Sequence, residues 1–151
     1  MSALPFTVAL LGAESTGKSR LAQDLSEQLR TQHGLCVDMV TEHLRGWCEQ
    51  HGRAPVQHEQ TALAHTQSQL IAQVRAKPGV QVVVADTTAL MVAAYSEQYF
   101  NDLSLWPRAL ADHSTCDLTL LMGLDLPWMD DGLCRDSPTA RQATDNILRT
   151  R

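Results

Sequence analysis

The sequence predicts an α/β fold in which a parallel sheet is flanked by helices on both faces. Short, continuously apolar segments alternate along the 151 residues with longer segments of helical periodicity. Strands of a parallel sheet are buried on both faces, so they lack the apolar and polar alternation of half-exposed strands. A glycine-rich segment, GAESTGKS at 12–19, also stands between the first apolar run and the first helical segment. Both observations favour the same architecture.

Four apolar runs are predicted to be strands. The first is 6–11, bounded by Pro5 and Gly12, and the others are 35–41, 80–85 and 117–122. Helices are predicted between them from apolar side chains on one face, as at Leu21, Leu25 and Leu29. The predicted helices are about 17–32, 57–77, 89–98 and 103–113, with another from Pro138. A fifth strand is absent from this pattern.

Composition and charge restrict the possible functions. With 44% apolar residues the chain can bury one core, and we expect a single domain over 1–151. The 12 basic and 17 acidic residues give a net charge of −5, which argues against nucleic acid as a partner. The sequence contains no run of 18 consecutive apolar residues, so no transmembrane segment is predicted. The four cysteines lack metal-ligand spacing and predict reduced thiols in a cytoplasmic protein.

The segment 12–19 carries the most specific chemical signal. It satisfies GxxxxGK[ST] in full, between a buried strand and an amphipathic helix, which predicts an ATP-binding P-loop and a P-loop NTPase fold. Backbone N–H groups and the helix N-terminus would hold phosphates, Lys18 would add a charge, and Ser19 would offer its hydroxyl to Mg²⁺. The predicted phosphate-site residues are Gly12, Ala13, Glu14, Ser15, Thr16, Gly17, Lys18, Ser19 and Arg20. The alternative is a glycine-rich turn with a solvated lysine.

A carboxylate at the end of a neighbouring strand is the second part of such a site. Asp86 ends the apolar run VVVAD and is the candidate to organise Mg²⁺. The alternative is that Asp86 caps the helix that begins near Thr88, and the two roles are compatible. If its strand lies beside the P-loop strand with 35–41 outside, Glu42, Asp86 and Asp125 lie at one crevice.

Five segments in order resemble a known family. They are GAESTGKS, TEHLR at 41–45, TALAHTQ at 61–67, VVVADTT at 82–88 and LPWMDDGLCRD at 126–136. Together they resemble the P-loop ATPase and kinase family of NAD metabolism, the nicotinamide riboside kinase domain of NadR-type proteins. The resemblance covers Val8 to about Arg149. It implies a nucleoside- or nucleotide-kinase-like fold, ATP and Mg²⁺ as cofactors, and phosphorylation of a small, nucleoside-like metabolite.

The resemblance also assigns site residues. Lys18, Ser19 and Asp86 match the phosphate, metal and strand-end positions, with Asp86 near the acceptor hydroxyl as base or metal organiser. The acceptor pocket is expected to contain Glu42, Arg45, Thr87, Trp128 and Asp131. Arg135 is expected to reach the transferring phosphate from a lid, and Arg141 suits that role and the alternative of a solvated loop charge equally. From the residues alone, Glu42 and Arg45 equally suit a helix-start acid and an exposed base. His65 and Gln67 are weaker candidates, and a lone histidine on a long helix, as at His65, is more often a structural residue.

Two positions depart from the family pattern. A tryptophan that precedes the E-x-x-R glutamate is replaced by Thr41, and a tyrosine on the next helix is replaced by Leu70 or Ile71. Those aromatic rings would stack on a pyridinium ring, so Trp47, Tyr95 and Trp128 are the possible replacements. The last strand of the family is also missing before Arg151. The alternative function is a nucleotide-binding regulatory module or slow ATPase without a metabolite acceptor.

Overall fold

Four parallel strands form one sheet in the computed structural model, which describes residues 4–13, 16–124 and 138–150. The strands are β1 (Phe6–Leu11), β2 (Val37–Val40), β3 (Val82–Asp86) and β4 (Leu118–Leu121), in the order β2-β3-β1-β4. Leu10 of β1 stands beside Asp86 of β3. The predicted fold class is therefore confirmed, and the strand that carries Asp86 lies directly beside the strand that leads into the P-loop, with β2 outside it.

Six helices accompany these strands in the described residues. They are α1 (Lys18–His33), α2 (His43–His51), α3 (Gln60–Arg75), α4 (Ala89–Phe100), α5 (Trp106–His113) and α6 (Pro138–Thr150), with a 3₁₀ turn at Gln57–Glu59 before α3. Among the described residues, no helix combines the length and apolar character needed to cross a bilayer. The helix α2 was not among the helices predicted from apolar patterns, although a helix-start acid was one interpretation of Glu42, because Gly46 and several polar residues interrupt the short pattern of Leu44, Trp47 and Cys48.

The centre of the sheet is covered on both faces. Val82 and Val84 of β3 pack in a cluster with apolar residues of α1, whereas Val83 and Ala85 pack in another cluster with residues of α3. All five residues of β3 are buried, as expected of a strand with helices above and below it. The predicted cover of the sheet by helices therefore holds at its centre.

The edge strand β4 differs from this picture. The continuous apolar run predicts a fully buried strand, but β4 is exposed or half-buried along its length, and Leu118 is 45% exposed. Among the described residues β4 pairs only with β1. An apolar run therefore predicted the strand correctly but overestimated its burial.

Candidate active site

The turn between β1 and α1 requires glycine at two described positions. Gly17 has a φ of 82°, a left-handed conformation that favours glycine, directly before Lys18 begins α1. At Gly12, an added Cβ would lie 2.8 Å from the Cβ of Met122 and 2.8 Å from Oγ1 of Thr16. The Thr16 hydroxyl donates to the Ala13 carbonyl at 2.9 Å and braces the turn. Glu14 and Ser15, which the sequence also places in the phosphate site, lie outside the described residues.

Lys18 is the centre of a buried ionic cluster. Its Nζ donates to Oδ1 of Asp86 at 2.5 Å and to Oε2 of Glu42 at 3.0 Å, and the residue is 8% exposed. Burial lowers the pKa of Lys18, but the negative charges of Glu42 and Asp86 and the hydrogen bonds they accept outweigh it and raise the pKa above its ordinary value. Lys18 is therefore held as a protonated ammonium at the N-terminus of α1.

Asp86 uses its second carboxylate oxygen on Ser19. The Ser19 hydroxyl donates to Oδ2 of Asp86 at 2.6 Å. A hydroxyl oxygen beside a carboxylate oxygen is the donor pair that a P-loop offers to Mg²⁺, which takes its remaining ligands from phosphate and water. Among the described residues no three His, Cys, Asp or Glu side chains form a metal site by themselves. Ser19 and Asp86 therefore fit a metal ion that arrives with a nucleotide.

The helix-cap alternative for Asp86 is wrong. The cap of α4 is Thr88, whose side-chain oxygen accepts from the Leu90 amide at 3.3 Å. Both Asp86 oxygens instead contact the P-loop residues Lys18 and Ser19. The sequence VVVADTT contains three residues able to cap, and only the fold shows that the carboxylate turns toward α1.

Glu42 also stands at a helix start without capping it. It occupies the N-cap position of α2, but its side chain makes no capping hydrogen bond and instead contacts Lys18. Arg45 follows on the first turn of α2, and both residues line a cavity of about 260 Å³ beside the P-loop. The other lining residues are Gly12, Ala13, Thr16, Gly17, Lys18, Ser19, Arg20 and Tyr95. The structure thus brings the E-x-x-R pair and the phosphate loop to one cavity.

Of the three aromatic candidates, the structure favours Tyr95. It lies on α4 with its ring centroid 6.4 Å from that of Tyr99, and it is the aromatic residue among the described residues that line the cavity. The ring of Trp47 instead stacks on His51 with 3.9 Å between centroids, and the Arg53 guanidinium lies 5.0 Å from its centroid. Trp47 therefore already has partners on α2 and in the segment after it, and Trp128 lies outside the described residues.

Gln67 is a buried residue whose contacts the sequence did not reveal. It is 1% exposed, and its amide hydrogen-bonds to the backbone of Thr41, His43 and Thr87. Gln67 was a weak site candidate, and the structure shows it buried among backbone groups; His65, interpreted as structural, is exposed. The position of Gln67, four residues from both Leu63 and Ile71, was a signal in the sequence that it is buried. A polar residue on the buried face of a helix must find hydrogen-bond partners.

The remaining predicted residues fall into two groups. Thr87 is buried with a φ of 87°, a strained conformation for a β-branched residue, directly after Asp86. Arg20 is mostly exposed and pairs with Asp24 at 3.5 Å, and Arg141 of α6 donates to the Leu124 carbonyl at 3.3 Å. The other predicted residues, Asp125, Trp128, Asp131 and Arg135, lie outside the described residues.

A parallel sheet with a glycine-dependent loop, a buried lysine and a strand-end aspartate defines a P-loop NTPase. The model of the AAA_28 family, described as an AAA domain, matches residues 7–151, and the chain belongs to that family. The chain is 31% identical over 147 residues to the trifunctional NAD biosynthesis/regulator protein NadR of Salmonella typhimurium. That match covers 94% of this chain and 34% of the relative, so the chain spans about a third of the relative's length.

Two solved structures share the fold. One is the NadR protein in complex with NR, with a TM-score of 0.79, 20% identity, and coverage of 97% of this chain and 42% of that one. The other is the Mycobacterium tuberculosis APS kinase CysC Cys556Ala mutant, with a TM-score of 0.50, 13% identity, and coverage of 98% and 99%. At these identities the structural likeness establishes the fold alone. The sequence match to NadR supports the resemblance to the P-loop family of NAD metabolism.

Proposed function

We propose that this chain is a kinase that transfers the γ-phosphate of ATP to a hydroxyl group of a small, nucleoside-like metabolite. The observation that carries the proposal is that Glu42, Arg45 and Tyr95 line the same cavity as the phosphate loop. A phosphate loop alone suits any NTPase, whereas transfer requires groups that orient an acceptor beside the transferred phosphate. The cavity therefore supports a transferase more than a simple nucleotide-binding module.

The phosphate half of the cavity would hold ATP. The loop backbone and the α1 N-terminus supply donors, and Lys18 supplies a positive charge that its two carboxylate partners keep protonated. Ser19 and Asp86 are the residues that would hold Mg²⁺, which neutralises charge on the phosphates when it is bound. Asp86 contacts both Lys18 and Ser19, and its proposed role is that of base or metal organiser.

The acceptor half would hold the metabolite. Glu42 and Arg45 offer an anionic and a cationic group one helical turn apart, and Tyr95 offers an aromatic ring. A carboxylate and a guanidinium suit the hydroxyls of a ribose, and an aromatic ring suits a planar or cationic base. Nicotinamide riboside is the first acceptor to test, because a relative in fold binds NR. Thr87, Trp128, Asp131 and the lid residue Arg135 remain predicted parts of this half.

The test is acceptor-dependent formation of ADP. The protein is incubated with ATP, Mg²⁺ and single nucleosides, including nicotinamide riboside, and ADP is measured against a reaction without acceptor. We expect at least one nucleoside to stimulate ADP formation, and Lys18→Met to abolish the stimulation. Lys77→Met is the matched control, since Lys77 is the other lysine in the chain and is an exposed partner of Asp38. ATP consumption that ignores every acceptor would favour a regulatory ATPase instead.

A further inference from the structure

One buried amide, that of Gln67, hydrogen-bonds to the backbone next to both carboxylates that contact Lys18. The Oε1 of Gln67 accepts from the His43 amide at 2.9 Å, and its Nε2 donates to the Thr41 carbonyl at 3.3 Å and the Thr87 carbonyl at 3.2 Å. Thr41 and His43 are the neighbours of Glu42 on each side, and Thr87 follows Asp86. A single side chain of α3 therefore ties the ends of β2 and β3 and the start of α2.

The pattern of donors and acceptors around Gln67 suits an amide. Two backbone carbonyls require two N–H donors, and one backbone N–H requires an acceptor, which is the full inventory of a primary amide. A carboxylate offers no donors to the carbonyls, and a thioether offers no strong donor or acceptor. Asparagine has the same groups on a shorter side chain. The bonding at this position therefore depends on both the chemistry and the length of glutamine.

Gln67 hydrogen-bonds to two backbone segments, the start of α2 and Thr87, that need support from residues outside the segment. The Glu42 side chain contacts Lys18 instead of capping α2, so the Gln67 oxygen serves the His43 amide at the first position of that helix. The Thr87 backbone has a φ of 87°, which neighbouring contacts must hold in place. Both segments carry a carboxylate to the same ammonium group. If either segment moved, the spacing of Glu42 and Asp86 around Lys18 would change.

We propose that Gln67 is a positioning residue for phosphoryl transfer, whose amide fixes the separation of Glu42 and Asp86 and so aligns the acceptor half of the cavity with the phosphate half. This inference rests on the proposed kinase function. Gln67 is fully buried in a polar cluster and is not among the residues that line the cavity, so it acts through the backbone beside the two carboxylates.

The first variant is Gln67→Met, which keeps the side-chain length and removes all three hydrogen bonds. We expect kcat to fall by about 10²-fold, the effect of a displacement of about 1 Å at reacting groups. The Kd for ATP should change less than about threefold, since the hydrogen bonds of Gln67 go to Thr41, His43 and Thr87 and none reaches the described residues of the phosphate loop. Gln69→Met, on an exposed position of the same helix, is the matched control and should leave both constants unchanged.

The second measurement reports the cluster without turnover. The chain has two lysines, so selective ¹³C and ¹⁵N labelling gives one pair of side-chain signals for buried Lys18 and one for exposed Lys77. In Gln67→Met, at fixed pH and below the melting temperature, we expect the Lys18 signals to move toward those of Lys77. Gln67→Glu is the second variant if the methionine variant does not fold. Its carboxylate still accepts from the His43 amide but has no donor for the Thr41 and Thr87 carbonyls, so the Lys18 signals should again move toward those of Lys77.

The outcomes separate the two proposals. Lower thermal stability with unchanged Lys18 signals and unchanged kcat in the folded protein would show that Gln67 is a structural residue only and would overturn the inference. If the wild-type protein phosphorylates no acceptor, the kinase proposal fails, but the Lys18 signals still decide whether Gln67 sets the carboxylate spacing. A coupled loss of kcat and shift of the Lys18 signals, with ATP affinity retained, supports both.

Discussion

The phosphate half and the acceptor half of the cavity are built in different ways. The phosphate half is lined by residues of the loop between β1 and α1, and the side chains of Lys18 and Ser19 contact the strand-end carboxylate of Asp86 at 2.5 and 2.6 Å. The acceptor half draws Glu42 and Arg45 from α2 and Tyr95 from α4, two helices that follow different strands. Phosphate binding therefore depends on local backbone geometry, whereas acceptor binding depends on how distant segments pack. Substitutions in the two halves should accordingly have separable effects.

The largest effect is expected on the phosphate side, at Asp86. Asp86→Ala removes the partner of both Lys18 and Ser19 and the proposed metal contact. We expect kcat to fall by about 10³-fold, as when a preorganised charge is lost from a transfer site. The control is Asp38→Ala, which removes an exposed carboxylate on β2 that pairs with Lys77 at 3.1 Å. Steady-state kinetics with saturating ATP checks this, and a loss below tenfold would place Asp86 outside the reaction.

The second effect is on stability, at Lys18. Lys18→Met leaves Glu42 and Asp86 buried without their cation, which costs about 3 kcal/mol or more in the free energy of unfolding. The pKa of Lys18 is raised in the folded protein. The contribution of the protonated lysine to the free energy of unfolding is therefore fully present below its ordinary pKa of 10.5, and it is lost as the pH rises through the pKa of Lys18 in the folded protein. Urea unfolding at neutral pH should separate wild type from variant, and the difference should shrink above that pH. Equal stability at neutral pH would contradict the account.

The third effect is on the acceptor side, at Tyr95. Tyr95→Leu removes the ring from the cavity and should raise the KM for the acceptor about tenfold, with the KM for ATP little changed. Tyr99→Leu is the comparison, because Tyr99 packs against Tyr95 with 6.4 Å between ring centroids but is not among the described residues that line the cavity, so it reports the loss of that packing alone. Kinetics with each substrate varied separately gives the result. A rise in both KM values together would remove the distinction between the halves.

The smallest effect lies outside the cavity and calibrates the others. Glu59 accepts from Arg53 at 2.8 and 3.0 Å and from the Val56 amide at 2.9 Å, and the Arg53 contact lowers the pKa of Glu59 to about 2. The contribution of ionised Glu59 to the stability of the fold is present above its ordinary pKa of 4.5, and it is lost as the pH falls toward 2. Thermal unfolding of Glu59→Gln should therefore differ slightly from wild type at neutral pH and converge with it in acid. A difference that persists at pH 2 would indicate another cause.

The sequence predicts the phosphate half more fully than the acceptor half. Gly12, Lys18 and Ser19 belong to one motif. Asp86 was expected beside them on the condition that its strand neighbours the P-loop strand, and the sheet order meets that condition. These features are local in the chain or depend on strand order alone. Glu42 and Arg45 entered through a family resemblance, and their contact with the same cavity depends on an unpredicted helix, α2.

The features that escaped prediction share a physical cause. Gln67 bridges residues 20 to 26 positions away in the chain, and no periodicity reveals such partners. Thr88 rather than Asp86 caps α4, because Asp86 has stronger ionic partners that only the fold supplies. In the described part of the chain β4 pairs with one strand, and its exposure was not visible in its apolar run. In each case long-range packing decides between two local options.

The most direct test of the kinase account is the identity of the phosphorylated product. ³¹P NMR can follow ATP, Mg²⁺ and nicotinamide riboside, then other nucleosides, with wild type and with Lys18→Met as the control. The account predicts a phosphomonoester signal that appears in step with ADP for at least one acceptor and is absent with the variant. ADP with inorganic phosphate, and no ester from any nucleoside, would contradict it.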